Sequence, residues 1–318
     1  MDYLRIEGDF PIFGKSAVTL GKFDGLHRGH RKLVQAATEE KKNGSSAVMT
    51  AFTLGEQFIF SREERRALAE EMGLDCLIEC PLNERIRHME PEAFVQEILV
   101  KRLHAACVIV GEDYRFGYQR TGTPGLLSVL GEKYGFLARI IPSEMEGNQK
   151  ISSSLVKREL GRGNMELTGK LLGTPFFLSG TVVHGRGLGH RALLPTTNLL
   201  PPAEKLMPPY GVYLTRNHFE EEIYYGITNV GVKPTVDGDA LGVESYLYEC
   251  SRDLYGRRSK VEFLHYLRPE KKFDSLDALK AQLCSDVEKG RELLQTRTNA
   301  LLQSGGPADA ETTSVPGR

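Results

Sequence analysis

Two imidazoles stand three residues apart in Gly21-Lys22-Phe23-Asp24-Gly25-Leu26-His27-Arg28-Gly29-His30. The segment follows a strand pattern and opens a helix pattern, so His27 and His30 share one face of a first helical turn. The N–H groups of such a turn lack intrahelical acceptors and form a ready anion site. Histidines placed there add hydrogen bonds to phosphate oxygens as charge builds in a transition state. Gly29 between them lets a nucleotide approach the backbone closely, and Gly21, Phe23 and Gly25 are the other expected nucleotide contacts of the turn. A bare HxxH pair is more often two surface histidines, and a metal site needs a third ligand that this sequence does not offer. The strand, glycine turn and basic neighbours favour phosphate.

A second phosphate candidate is Ile151-Ser152-Ser153-Ser154-Leu155-Val156-Lys157-Arg158. Alone, a serine run of this kind is usually a helix cap. Paired with the histidine turn, Ser153, Ser154 and the helix-start N–H groups suit the β- and γ-phosphates of a nucleotide, with Lys157 or Arg158 neutralising a leaving pyrophosphate. Between the two, Val110-Gly111-Glu112-Asp113-Tyr114-Arg115-Phe116-Gly117 sets Asp113 and two aromatics in a glycine-bounded loop suited to adenine or another flat ring.

Further along, His184-Gly185-Arg186-Gly187-Leu188-Gly189-His190-Arg191 is a glycine-rich turn whose N–H groups can wrap phosphates. It matches neither GxxxxGK[ST] nor GxGxxG. Gly185, Gly187, Gly189 and His190 are its candidate phosphate contacts. Thr196 and Asn198, in Pro195-Thr196-Thr197-Asn198, are neutral oxygen ligands suited to Mg²⁺ that already carries phosphates. Glu244 interrupts an apolar strand pattern and faces either solvent or a site.

The elements that must position these groups change character along the chain. Strand patterns at residues 17–20, 46–52, 76–78 and 107–110 alternate with helix patterns at 28–42, 62–72 and 91–103. That alternation predicts an α/β, doubly wound parallel sheet, with ligands beyond the C-terminal ends of the strands. On the first helix Leu33, Val34, Ala36 and Ala37 form the inner face. After Gly173-Thr174-Pro175 the periodicity becomes strand-like, over 178–183, 211–215, 223–227, 243–248 and 260–264. Short strands between Gly, Pro and Asp turns predict an antiparallel barrel or sandwich. One helix closes it, with Ser275 as N-cap and Leu276, Leu279, Leu283 and Val287 at helical spacing. The expected domains are residues 1–168 and 169–296, followed by a disordered tail over 297–318.

The composition excludes several partners. The chain has 318 residues, 40% of them hydrophobic, and a formal charge of −1, so it carries no broad basic field for nucleic acid or an anionic membrane. No apolar run approaches the roughly 18 residues of a membrane helix, and the first residues lack a signal-peptide pattern. A cytoplasmic location and a monomer or weak homo-oligomer are expected. The five cysteines show neither a CxxC pair nor zinc-finger spacing, so reduced and partly buried thiols are expected.

GKFDGLHRGH resembles the HxGH signature of the nucleotidyltransferases. The order of GKFDGLHRGH, VGEDYRFG, ISSS, LLGTPFFLSGTVVHG, PTTN, PPYGVY, GITNVGVKPT, DLYG and LRPEKKFDSLDAL is similar to the bacterial bifunctional riboflavin kinase/FAD synthetase family, from about Ser16 to Leu294. The resemblance implies an N-terminal nucleotidyltransferase domain and a C-terminal β-barrel with a closing helix. It implies ATP and Mg²⁺, with riboflavin phosphorylated to FMN and FMN adenylylated to FAD. His27 and His30 would steady adenylyl transfer while Ser153, Ser154 and Lys157 hold ATP phosphates. Thr196 and Asn198 would hold Mg·ATP, and Glu244 would take the proton of the ribityl 5′-hydroxyl.

Three segments depart from the family pattern. Thr53–Gln57 is a shortened loop where the family usually has a Pro-His-Pro turn. Lys157 puts a point charge where a planar arginine fork is usual. Leu193 occupies a glycine position and His190 an arginine position in the kinase stretch. These last two carry an alternative reading, an FMN adenylyltransferase whose kinase-dead barrel is a flavin-binding or regulatory module. A third reading is a flavin sensor without turnover.

Overall fold

The computed structural model describes residues 1–53, 55, 57–184, 196–235 and 238–303, with side chains described outside 233–240 and 297–303. The chain divides into two compact units, Met1–Phe176 with Pro202–Met207, and Phe177–Pro201 with Pro208–Arg318.

In the first unit the elements run β1 (Asp2–Arg5), β2 (Ser16–Gly21), α1 (Arg28–Glu39), β3 (Ser46–Thr53), α2 (Arg62–Glu71), β4 (Cys76–Pro81), α3 (Glu84–Arg87) and α4 (Pro91–Phe94). Then follow β5 (Ala105–Gly111), α5 (Pro124–Tyr134), β6 (Leu137–Ile141), the hairpin β7 (Met145–Glu146) and β8 (Gln149–Lys150), α6 (Ser153–Gly161) and α7 (Met165–Leu172). Six strands form one sheet in the order β1-β4-β3-β2-β5-β6, every pair parallel. β2 and β3 are buried almost throughout because apolar and small residues such as Ala17, Val18, Leu20, Val48 and Met49 meet helices on both faces. The order reverses at β2, with β3 on one side and β5 on the other, so the turn after β2 opens at a topological switch point.

The inner face of α1 is the expected Leu33, Val34, Ala36 and Ala37, but the α-helix ends at Glu39 and a 3₁₀ turn carries the chain to Asn43. The helix expected over 91–103 is α only to Phe94. Val95–Val100 is π-helical, with the Lys101 N–H on the Gln96 carbonyl and the Leu103 N–H on Ile98. The wider turn keeps Val95, Ile98 and Leu99 together in the core. Strand β1 was not expected: Asp-Tyr-Leu-Arg has no apolar run, and its order comes from pairing alongside β4. The unit break at Phe176 lies beyond the expected 168/169 boundary, because α7 packs on α6 and Phe176 stacks on Phe60 at 5.9 Å.

The second unit contains β9 (Phe176–Thr181, entered from the last residue of the first unit), β10 (Thr196–Leu199), β11 (Gly211–Phe219), β12 (Glu222–Thr235), β13 (Gly238–Leu247), β14 (Arg258–Pro269) and α8 (Leu276–Gln303). Its sheet runs β10-β13-β12-β11-β14-β9, and an antiparallel bridge from Val183 to Asn198 ties the two ends into the expected barrel-like closure. Ser275 Oγ accepts the Ala278 N–H at 3.1 Å, as an N-cap should. Leu293, Leu294 and Val287 pack on Val212, Ile227, Tyr248 and Leu267, whereas Leu276 is 67% exposed and takes no part. The helix continues through residues expected as tail, to Gln303; residues 304–318 lie outside the described residues.

Across β11 and β14, buried Glu262 accepts Arg216 Nε at 2.8 Å, with His218 Nε2 at 3.1 Å and Lys260 Nζ at 3.1 Å. Burial alone would raise its pKa, but the close contact with His218 and the charges of Arg216 and Lys260 hold it down to about 2. The folded pKa lies below the unfolded one, so the stabilisation is complete above about pH 4.5 and disappears as pH falls toward 2. Glu262→Gln is expected to lower unfolding stability at pH 7 by on the order of 3 kcal/mol. Urea titrations should show the gap to the parent narrowing steadily between pH 4.5 and 2.

Candidate active sites

In the first unit, β2 delivers the chain into a turn where Phe23, Gly25 and Leu26 all have left-handed backbone, with φ of 49°, 85° and 42°. Two non-glycine residues in that region cost of order 1 kcal/mol each, held by the complete burial of both side chains. At φ 85° Gly25 has a backbone that side chains rarely adopt, and a Cβ there would press on Ile59 Cδ1 at 2.6 Å. His27 then caps α1, its Nδ1 accepting the His30 N–H at 3.3 Å, and the two rings stack at 3.6 Å and 18°. Gly29 also makes room within the turn. A Cβ there would lie 3.3 Å from the His27 ring, so the glycine makes room for the imidazole.

Burial lowers the His27 pKa to about 4 against the opposing pull of Asp24, and burial followed by the neighbouring His27 lowers that of His30 well below its usual value. Both rings are therefore neutral at pH 7. With Nδ1 accepting, the proton of His27 sits on Nε2, which is left as a donor. His30 Nδ1 is buried with no hydrogen-bond partner among the described residues.

The serine turn is brought to this loop from the far end of the unit. Ser152 caps α6, and the Ser153 hydroxyl donates to the Asp24 carbonyl at 2.8 Å. Lys157 Nζ pairs with Asp24 Oδ2 at 2.6 Å, and Asp24 Oδ1 accepts the Ile59 N–H at 2.9 Å. Ser154 is exposed on the first turn of α6. Arg158 is engaged elsewhere, on Glu159 and Gln149. Asp113 pairs with Lys150 at 2.7 Å, close enough for its charge to act on His27. The aromatics of that loop do not form an open slot: Tyr114 stacks on Phe116 at 5.8 Å, and Phe116 packs on Phe94.

In the second unit, strand register sets Asn198 of β10, Glu244 of β13 and Asn229 of β12 in one row. The Thr196 hydroxyl donates to Glu244 Oε1 at 2.8 Å. Thr196 and Thr197 also line a cleft of about 320 Å³ with Arg252, Asp253 and Tyr255, the last stacked on His184 at 3.7 Å. A hydroxyl, amide oxygens and a carboxylate are hard ligands of the type Mg²⁺ takes, and Thr196, its proton directed to Glu244, keeps its lone pairs for a cation. Gly185, Gly187, Gly189 and His190, with Leu193, lie outside the described residues.

The FAD synthetase family model matches residues 11–155 and the riboflavin kinase family model residues 172–294. The bifunctional riboflavin kinase/FMN adenylyltransferase of Escherichia coli K12 is 36% identical over 288 residues, covering 86% of this chain and 91% of that protein. This chain belongs to the bifunctional riboflavin kinase/FMN adenylyltransferase family. A member from Bacillus subtilis is 30% identical, over 86% of this chain and 91% of its own length. A crystal structure named as a macrolide-efflux protein of Streptococcus pneumoniae superposes with a TM-score of 0.81 at 27% identity, covering 92% of this chain and 99% of that one. No helix among the described residues here is long and apolar enough to cross a membrane.

In this member of the family, sequence reasoning passed over Asp24 and Asn229. Both lie inside the quoted motifs. A carboxylate between two turn glycines was a usable signal for Asp24, whereas Asn229 emerges only from strand register.

Proposed function

We propose that this chain phosphorylates riboflavin to FMN in its barrel unit and adenylylates FMN to FAD at the histidine turn, using ATP for both steps. The observation that carries the adenylyl step is the convergence of His27, His30, Ser153 and Lys157 around the Asp24 turn at a helix start. A phosphate oxygen of FMN attacks the α-phosphorus of ATP; a P–O bond forms, the α–β bridge breaks and pyrophosphate leaves. His27 Nε2 and His30 donate to oxygens whose negative charge grows in that transition state. Ser153 and Ser154 hold the departing phosphates, and Lys157, aimed by its pairing with Asp24, lends its charge to them.

In the barrel the ribityl 5′-hydroxyl attacks the γ-phosphorus of ATP and ADP leaves, with Glu244 receiving the hydroxyl proton. Thr196 and Asn198 would hold Mg²⁺, which supplies charge neutralisation on the phosphates when bound. Family models matching both halves favour two activities over an adenylyltransferase with a dead barrel. The test is to incubate the chain with ATP and Mg²⁺ plus either riboflavin or FMN and to separate the flavins by chromatography. FAD from both is expected. FAD from FMN alone would favour the kinase-dead reading, and neither product would refute the proposal.

Asp24→Asn keeps an oxygen for the Ile59 N–H but removes the charge that aims Lys157, leaving its ammonium on the Gln57 carbonyl. The expected result is a rise of about tenfold in KM for ATP in the FMN-to-FAD step, equivalent to about 1.4 kcal/mol of lost phosphate orientation. Riboflavin phosphorylation should stay within about twofold of the parent, since the barrel does not contain this pair. Steady-state rates with each flavin distinguish the two.

A further inference from the structure

Pro202–Met207 belongs to the first unit, although the chain on either side of it belongs to the second and the riboflavin kinase family match spans it. Its backbone is stitched to Phe58: the Phe58 N–H donates to the Glu204 carbonyl and the Leu206 N–H to the Phe58 carbonyl, both at 2.7 Å. Between these bonds Lys205 runs inward. Its side chain is 0% exposed, and its ammonium donates to Glu64 Oε2 at 2.6 Å and to the Ile59 carbonyl at 3.2 Å. It lies over the rings of Phe60 and Phe176 at 5.0 and 4.5 Å. Glu64 closes the capping box of α2 with Ser61. Lys205 thus holds the stretch Ile59–Ser61 at both ends.

The other side of Ile59 faces the adenylylation turn. Its N–H bonds Asp24, the partner of Lys157, and its side chain fills the space above Gly25, two residues before His27. We infer that Lys205 is a positioning residue for FMN adenylylation, acting through Ile59 on the Asp24–His27 turn from a segment that the sequence assigns to the kinase. The inference rests on the reading of that turn as the adenylylation site. A buried ammonium is a costly way to fill a pocket lined by two phenylalanines. What it adds over an apolar side chain is the directional bond to the Ile59 carbonyl, and a displacement of about 1 Å at a reacting group can cost about 10²-fold in rate.

The test is the double variant K205M/E64Q in the full chain. Methionine matches the volume of the lysine, and glutamine keeps an oxygen for the Ser61 N–H, so no buried charge is left unpaired. The expected result is a fall of at least about tenfold in kcat for FMN to FAD, with KM for ATP within about threefold and riboflavin to FMN within about twofold. A merely structural role predicts something else, that the melting temperature of the first unit falls while kcat for FMN to FAD, assayed well below that temperature, stays within about twofold of the parent. That outcome, with or without the fall in melting temperature, overturns the inference. A parent chain that makes no FAD from FMN overturns instead the site reading on which it rests.

Discussion

Replacing His27 with asparagine is expected to lower FMN adenylylation by about 10²- to 10³-fold, the usual loss on removing one preorganised transition-state donor. Asparagine is a good N-cap residue, so the acceptor for the His30 N–H is retained and the helix start survives. What disappears is the Nε2 donor and the ring stacked on His30. Riboflavin phosphorylation in the same molecule serves as the control and should be unaffected. The parent profile carries a second expectation. Because burial brings the His27 pKa down to about 4, the ring stays neutral over pH 5.5–7.5 and contributes no inflection near its ordinary 6.5. Protonation at lower pH would put a hydrogen on Nδ1 and break the cap. The folded pKa is below the unfolded one, so the unfolded chain takes up this proton first and stability declines as pH falls from 6.5 toward 4. An inflection of kcat near 6.5 that vanishes in His27→Asn would contradict the neutral-donor role.

The second large effect is in the barrel. Glu244→Gln is expected to reduce riboflavin phosphorylation by about 10²- to 10⁴-fold, the range lost with a general base, and to leave FMN adenylylation intact. The amide keeps an oxygen for the Thr196 hydroxyl, so the row with Asn198 and Asn229 persists while the group that receives the ribityl proton is gone. Incubated with ATP and Mg²⁺, the variant should turn FMN into FAD but leave riboflavin unconverted. Residual phosphorylation above about a tenth of the parent would assign Glu244 to the strand and the base to another group.

The nature of each unit was legible along the chain because the signals are local. Leu33, Val34, Ala36 and Ala37 fall on one face of α1 through the 3.6-residue repeat alone, and the apolar runs of β2, β3 and β5 read as strands alternating with helices. The histidine turn was equally visible, since capping and dipole effects act within a few residues of His27 and His30. Less was legible where order comes from a partner. β1 is held by β4, the π-helical turn after Phe94 by the core it fills, and the use of Tyr114 and Phe116 by Phe94.

Local patterns along the chain thus specify a parallel α/β unit followed by an antiparallel one, and which turns carry groups suited to phosphate chemistry. How those groups are held depends on contacts between distant parts of the chain. The Asp24–Lys157 pair, the Ser153 bond to the Asp24 carbonyl and the Asn198–Glu244–Asn229 row depend on strand register and chain crossing. Lys205 is the extreme case. A lone cation among prolines ordinarily stays in water, and its burial against Glu64, 141 residues away, is possible only because the return of Pro202–Met207 to the first unit supplies a carboxylate, a carbonyl and two aromatic faces at once.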